Sequence, residues 1–405
     1  MKLIRHLDVR RGLLISHHLK ILEMSPVVDM TWFHIRLLVL SILFLCSTSN
    51  AQTMLADKGA YYPRIIQLQN SGTGYNGVLI ASFDNRNTGV FYESKDSGKT
   101  WTFISNVTEN TPPRNCCSEL YEVPQQLKNL AAGSLFWATS AGTDQTPRTN
   151  CSIRIYKSAD HGRSWQFYST AVEGKIGLWE AEFIVDDKKR LLMFFSSEEY
   201  KAEGYNQIIA HRVSTDGGLT WSEDIKDIAV NDNIKRPGMP TVARLSNGTY
   251  IMCYEVCGNN CDTYIRFSKD GNNWGDTKDL GTKVESTNGN HFSHAPTITW
   301  VDDGTKNGVL LLIGQVLNKN SDNTIAEDNG KVFMINRNKG KGLWTEVKAP
   351  VASPSDGKNP CENYSSQLLP LKDGKVLQLA LKKVNGACRL FYDVGNVNDS
   401  LVNDN

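Results

Sequence analysis

Ser94-Lys95-Asp96-Ser97-Gly98-Lys99-Thr100-Trp101 is the stretch that sets the architecture, because the pattern returns at Ser158–Trp165 and Ser214–Trp221 and, shortened, at Ser268-Lys269-Asp270-Gly271-Asn272-Asn273-Trp274. The frame is Ser-x-Asp-x-Gly-x-Thr/Ser-Trp and it recurs every 54 to 64 residues. A regular period of this size marks a repeat architecture. Each residue type has a local role, since Asp caps its own turn, Gly supplies a positive φ, and Trp plugs the gap between neighbouring units. One copy would pass as an ordinary hairpin turn, but four in register would not. The pattern is a folding device rather than a catalytic one.

Around these turns, residues 52–405 divided by six give a unit close to that spacing. Each unit reads as three strands, the repeated turn and a fourth strand, which is the plan of a propeller blade. The expected class is therefore all-β, a six-bladed β-propeller. The fifth and sixth units lack a clean turn, although Asn336–Trp344 resembles a worn copy. The strand rhythm continues through His294–Thr299, Val309–Gly314 and Lys331–Ile335, then Ser365–Leu371, Val376–Leu381 and Arg389–Asp393. The run Val309-Leu310-Leu311-Leu312-Ile313 reads as a central strand rather than a helical turn, from its length and its flanking Gly and Asp.

Composition narrows the partners. A chain with 40% hydrophobic residues buries a large core, and a net charge of +1 without a basic stripe offers nothing to nucleic acid or to an anionic membrane. Arg36, the apolar run Leu37–Cys46 and the small residues Ser49-Asn50-Ala51 read as a secretory signal peptide cleaved after Ala51, with Met30 as an alternative start. Residues 1–51 are thus an upstream extension plus signal peptide, and residues 52–405 a secreted propeller, expected to be monomeric. Cleavage leaves Cys116, Cys117, Cys151, Cys253, Cys257, Cys261, Cys361 and Cys388, an even set suited to an oxidising compartment. Cys361 with Cys388 could staple the last unit and Cys257 with Cys261 could close a tight loop. No C-x-x-C or His cluster supports a metal site. The sequons at Asn106, Asn150, Asn247, Asn363 and Asn398 also fit export.

In a propeller the innermost strands all begin at one mouth of the central channel, so their first residues converge from distant parts of the chain. Those starts read as Tyr62-Pro63-Arg64, Glu122-Val123-Pro124, Trp179-Glu180-Ala181-Glu182, Arg236-Pro237-Gly238-Met239-Pro240, His294-Ala295-Pro296 and Glu362-Asn363-Tyr364. Glu180 stands at one start, and Glu255 ends the apolar strand Tyr250–Tyr254 of the adjacent blade. A glycosidase needs one carboxyl as acid/base and a second as nucleophile or water activator, and Glu180 and Glu255 are the expected catalytic pair. The competing reading is that each merely pairs with Arg64, Arg236 or a backbone amide. Glu182 rivals Glu180, since strand alternation would put both on one face. Trp179, Tyr62, Tyr254 and Tyr364 would offer flat surfaces to sugar rings, and Arg64, Arg236, His291 and His294 would donate to hydroxyls. Tyr364 is also a possible nucleophile, because some sialidases use Tyr.

These residues carry a family resemblance. The repeated turns resemble the Asp boxes of the sialidase superfamily. A nearer likeness covers about Tyr62 to Tyr392: Tyr62-Pro63-Arg64-Ile65, Gly177-Leu178-Trp179-Glu180, Arg236-Pro237-Gly238-Met239-Pro240, Tyr254-Glu255 and Asn363-Tyr364-Ser365 resemble the fungal exo-arabinanases of glycoside hydrolase family 93. The resemblance implies a six-bladed propeller that releases α-1,5-linked L-arabinose units with retention, using Glu180 and Glu255 and no metal or organic cofactor. One departure is Trp179-Glu180-Ala181, where the family has Trp-Glu-Pro. A sialidase is the enzymatic alternative, but His294-Ala295-Pro296 stands where its third arginine would be wanted. A non-catalytic glycan-binding propeller is the alternative of another class.

Overall fold

The computed structural model describes residues 52–57, 59–109 and 114–398. The signal-peptide reading of residues 1–51 lies outside the described residues. Six antiparallel sheets follow one another along the chain and form a six-bladed propeller. Innermost to outermost, blade 1 is Tyr61–Gln67, Leu79–Asn85, Thr88–Ser94 and Thr102–Thr108; blade 2 is Arg114–Glu122, Leu135–Gly142, Thr149–Ser158 and Gln166–Ile176. Blade 3 is Leu178–Val185, Leu191–Ser197, Ile208–Ser214 and Ile225–Ile228; blade 4 is Arg236–Arg244, Tyr250–Cys257, Asp262–Ser268 and Thr282–Lys283, its sheet extended by Asn290–Ser293 and Val316–Lys319. Blade 5 is Thr297–Val301, Val309–Ile313, Val332–Asn336 and Thr345–Lys348. Blade 6 is Gln367–Pro370, Lys375–Val384 and Ala387–Asn396, and its fourth strand is Thr53–Ala56 from the other end of the propeller sequence. That strand closes the ring, a long-range pairing that the sequence pattern did not reveal.

The repeated turns join the third and fourth strands of blades 1 to 4. In blade 1 the Gly98 amide donates to Ser94 Oγ (2.9 Å), the Thr100 amide to Asp96 Oδ1 (2.9 Å) and the Thr100 hydroxyl to Asp96 Oδ2 (2.6 Å). These hydrogen bonds hold the Asp96 carboxyl down at about 2. The Gly positions need a left-handed backbone, with φ of 87° at Gly98 and 92° at Gly218. In blade 5 the Gly340 amide donates to Asn336 Oδ1 (2.9 Å), so Asn336 takes the place of the serine. Its closing Trp344 is buried, and Trp165 of blade 2 stacks on Phe91 of blade 1 at 4.4 Å.

The core lies in the seams between blades. Second strands such as Leu191–Ser197 and Val309–Ile313 are buried on both faces, which explains their unbroken apolar runs. Each fully buried Leu or Phe there is worth about 1.5–3 kcal/mol. Cys361–Cys388 and Cys257–Cys261 are disulfides. Two expectations shift. Glu122 ends its strand instead of starting it, and it accepts from the Gln69 and Asn70 amides; the mouth of blade 2 is built by Cys116 and Cys117. Asn363 is 1% exposed and donates to the Gly314 carbonyl, so that sequon is closed to a glycan.

Candidate active site

The mouth is built by a repeated irregularity. As each innermost strand enters, one residue adopts a left-handed backbone: Tyr62 (φ 53°), Cys117 (61°), Glu180 (53°), Met239 (57°), Ala295 (47°) and Ser365 (50°). In blades 1 to 4 the register slips at this point, as at a β-bulge. A bulge re-aims its side chain, which alternation alone cannot foresee. Glu180 and Glu182 are separated by it. Glu180 Oε2 accepts from the Met239 amide (3.3 Å), whereas Glu182 Oε1 accepts from the Val242 amide (3.0 Å), one level farther down the same seam.

A second ring stands behind the bulges. The second-strand residues paired with Tyr61, Cys116, Trp179 and Gly238 are Asp84, Ser140, Ser196 and Glu255. They reach toward the next blade. The Ser118 amide donates to Asp84 Oδ2 (3.1 Å), the Met239 amide to Ser196 Oγ (3.2 Å) and the Ala295 amide to Glu255 Oε2 (2.8 Å). Glu255 therefore has a structural bond as well as a chemical opportunity.

Several carboxyls near the ring axis are raised by burial, and two of them feel the Arg236 charge. Burial pushes Glu180 up to about 7, opposed by the Ser196 hydrogen bond and the Arg236 charge and reinforced by the Glu255 charge. Burial also raises Glu255, against the Ala295 amide and Arg236. Arg236 faces both carboxyls while donating to Glu198 Oε1 (3.0 Å). Burial alone would raise Glu198, but hydrogen bonds from Lys201 and Arg236 and their charges bring it below the ordinary value. Trp179 is half-buried and donates from Nε1 to the same Glu198 (3.2 Å), with the Arg148 guanidinium 5.1 Å over its ring.

Tyr62, Met239 and Ala295 form an apolar cluster with Cys117 and Tyr364 packed against it. Tyr364 donates its hydroxyl to Met239 Sδ (3.6 Å) and meets the Tyr62 ring edge-on at 6.0 Å. Burial, then the charges of Glu255, Cys117 and Glu180, raise its phenol well above the ordinary range, which works against a tyrosinate nucleophile. The Tyr62 hydroxyl is buried with no hydrogen-bond partner among the described residues. A cavity of about 900 Å³ opens from Tyr62, Tyr364, Cys116 and Cys117 toward Asp84 and Arg86 of blade 1. Glu180 and Glu255 are outside its walls, yet both act electrostatically on Tyr364, which is one of them.

Glu180, Glu255, Arg236, Tyr62 and Tyr364 are thus brought together, with Trp179 at their flank. Two expected binders are corrected. Arg64 is 4% exposed beneath the Tyr62 ring, ion-paired to Glu119 (2.5 Å) and donating to Ser365 Oγ (3.0 Å); its charge is spent inside the ring of blades. Tyr254 is fully buried in the seam of blades 3 and 4, its hydroxyl donating to the Leu280 carbonyl (2.5 Å), because strand alternation turns it inward when Glu255 points to the mouth. His294 sits on the blade 5 side, half-buried, its imidazole pushed down by burial and kept neutral. His291 is fully buried and pairs with Asp262 (3.0 Å). Among the described residues, Cys257, Cys261 and His294 lie close enough to hold a metal, but the two sulfurs are joined to each other and thiolate is the ligand form. Sequence reading missed Glu198 and Cys117. Glu198 follows the buried strand Leu191–Ser197 much as Glu255 follows its own apolar run, a usable signal.

No family model and no curated protein matches the chain. Solved structures do. The α-L-arabinanase of Penicillium chrysogenum complexed with arabinobiose is 24% identical, with TM-score 0.69, over 84% of this chain and 94% of that one. The α-L-arabinofuranosidase of Fusarium graminearum bound to an iminosugar inhibitor is 22% identical, with TM-score 0.70, over 86% and 96%. This chain has the fold of the family 93 propellers. A Hadza microbial sialidase is more distant, 13% identical with TM-score 0.56, over 84% of this chain and 66% of that one. Between these neighbours, the family 93 propellers match the fold over more of their own length.

Proposed function

We propose that the protein is an exported retaining glycoside hydrolase that cleaves terminal α-L-arabinofuranosyl linkages of an α-1,5-arabinan. The observation that carries this reading is the pair Glu180 and Glu255, a half-buried and a buried carboxyl from adjacent blades that both feel the charge of one arginine. Glu180, poised at about 7, is the acid that protonates the leaving oxygen. Glu255, with the shorter amide hydrogen bond at 2.8 Å, is better supported as a charged nucleophile. Attack by Glu255 on the anomeric carbon forms a glycosyl ester as the linkage breaks; Glu180, now a base, takes a proton from water, which displaces Glu255. Arg236 steadies the charge of both carboxyls.

The likeness to propellers solved with arabinobiose supports arabinan as the substrate class. The sialidase reading is weakened because Arg64, which a carboxylate clamp would use, is already paired with Glu119. Incubating the purified protein with debranched arabinan, sialyllactose and galactan, and following the anomer released by NMR, tests the proposal. Arabinose units released with retained configuration are expected. Sialic acid release, inversion, or binding without any product would each sink it.

A further inference from the structure

Blade 2 is the odd member of the ring of bulges. Its mouth pair is Cys116-Cys117, where blades 1, 3, 4 and 5 carry Tyr61-Tyr62, Trp179-Glu180, Gly238-Met239 and His294-Ala295. Both thiols are half-buried and both line the cavity of about 900 Å³. The other two unbridged cysteines, Cys151 and Cys253, are buried in the seams between blades. We propose that Cys116 and Cys117 are an oxidation site, closing to a vicinal disulfide that forms part of the cavity wall in the exported protein. This would be a third bridge beside Cys257–Cys261 and Cys361–Cys388, and it does not depend on the glycosidase reading.

The geometry supplies what thiol–disulfide exchange requires. Cys116 and Cys117 are neighbours in the chain on one cavity wall, and Arg148 Nη1 donates to the Cys116 sulfur at 3.1 Å. The neighbouring Cys117 thiol first, and the Arg148 charge behind it, lower the Cys116 thiol despite its burial, and the thiolate is the attacking species. The cavity admits a small oxidant such as oxidised glutathione. Cys116 thiolate attacks one sulfur of that disulfide and expels one glutathione thiolate, leaving a mixed disulfide. Cys117 gives its proton to solvent and attacks Cys116 Sγ, expelling the second. Two protein thiols are oxidised to one disulfide while one glutathione disulfide is reduced to two thiols.

A bridge across a single peptide bond is more strained than one that spans many residues, so it is the more readily reduced. On oxidation the wall becomes an apolar plate with no S–H donors.

The test is direct. The full chain, exported from a host with an oxidising secretory compartment, is alkylated without reduction and digested with trypsin. Cys116 and Cys117 fall alone on the peptide from Asn115 to Lys128. The expected peptide is unalkylated and two hydrogen atoms lighter than the dithiol form. A doubly alkylated peptide, in a sample where Cys257–Cys261 and Cys361–Cys388 are bridged, overturns the proposal whatever the protein hydrolyses. In a graded phosphine titration this peptide should gain its alkyl groups at lower reductant than the Cys361–Cys388 pair. The mildly reduced protein should then take up one equivalent of phenylarsine oxide, which needs two neighbouring thiols. No uptake would likewise overturn the pairing.

Discussion

Blades 1 and 4 place a carboxylate at the same point of the same strand, and they use it differently. Asp84 pairs across its sheet with Tyr61, and Glu255 with Gly238. Both reach the next blade's bulge and both are raised by burial. Asp84 is engaged on both oxygens, by the Ser118 hydroxyl (2.5 Å) and the Ser118 amide (3.1 Å). Glu255 gives one oxygen to the Ala295 amide, while the other, among the described residues, has the bridged Cys257 sulfur at 3.5 Å, which carries no proton to donate. The side chain opposite Asp84 is a tyrosine; opposite Glu255 it is only a glycine hydrogen. One position is thus saturated, and the other keeps an oxygen free of N–H and O–H donors among the described residues.

Substitution at the two positions should separate them most sharply. Glu255→Gln keeps the shape and one acceptor, so the protein should fold while turnover on arabinan drops by about 10⁶-fold, as when a covalent nucleophile is removed. Asp84→Asn should cost about 1–3 kcal/mol of stability, from the buried hydrogen bonds it weakens, with little change in kcat. Denaturant melts and initial rates on both variants check this. Equal losses of turnover would erase the distinction between the blades.

The two regions should also titrate differently. With Glu180 acting as the protonated acid and poised at about 7, kcat/KM should fall on the alkaline side with a midpoint near that value. A limb centred at the ordinary carboxylate value would remove Glu180 from the acid role. Asp84 should instead register in stability. Its folded value of about 6 lies above the ordinary 3.8, so its contribution is fully present below the lower value and lost as pH rises through the higher one. Asp84→Asn should flatten the decline of the urea midpoint across that window.

The smallest effect belongs to the turns at the far end of the strands. Asp216 accepts from the Thr220 amide (3.0 Å) and hydroxyl (2.6 Å), and Asp216→Ala should cost about 1 kcal/mol, as for a lost cap. Arabinan hydrolysis should be unchanged. A loss of turnover would mean that the turn end and the mouth are coupled.

How much of the molecule was legible in its residues follows from the range of each interaction. Ser94, Asp96, Gly98 and Thr100 satisfy one another within a single turn, so the repeat declares itself locally. Glu180 and Glu255 could be nominated from strand position. Arg64 and Tyr254 could not be placed, since Arg64 depends on Glu119 of the next blade and Tyr254 on a seam with blade 3. The bulges that aim Tyr62, Cys117, Glu180 and Met239 leave no mark in the hydrophobic alternation.

The order of residues was enough to specify an all-β ring of repeated units, because turn chemistry and two-residue periodicity act between neighbours in the chain. The closed ring was needed to settle which carboxyls share Arg236, that Thr53–Ala56 completes blade 6, and that Cys116 and Cys117 face the cavity. Those outcomes depend on burial and on partners tens or hundreds of residues away, and burial is a property of the assembled seams rather than of any local stretch.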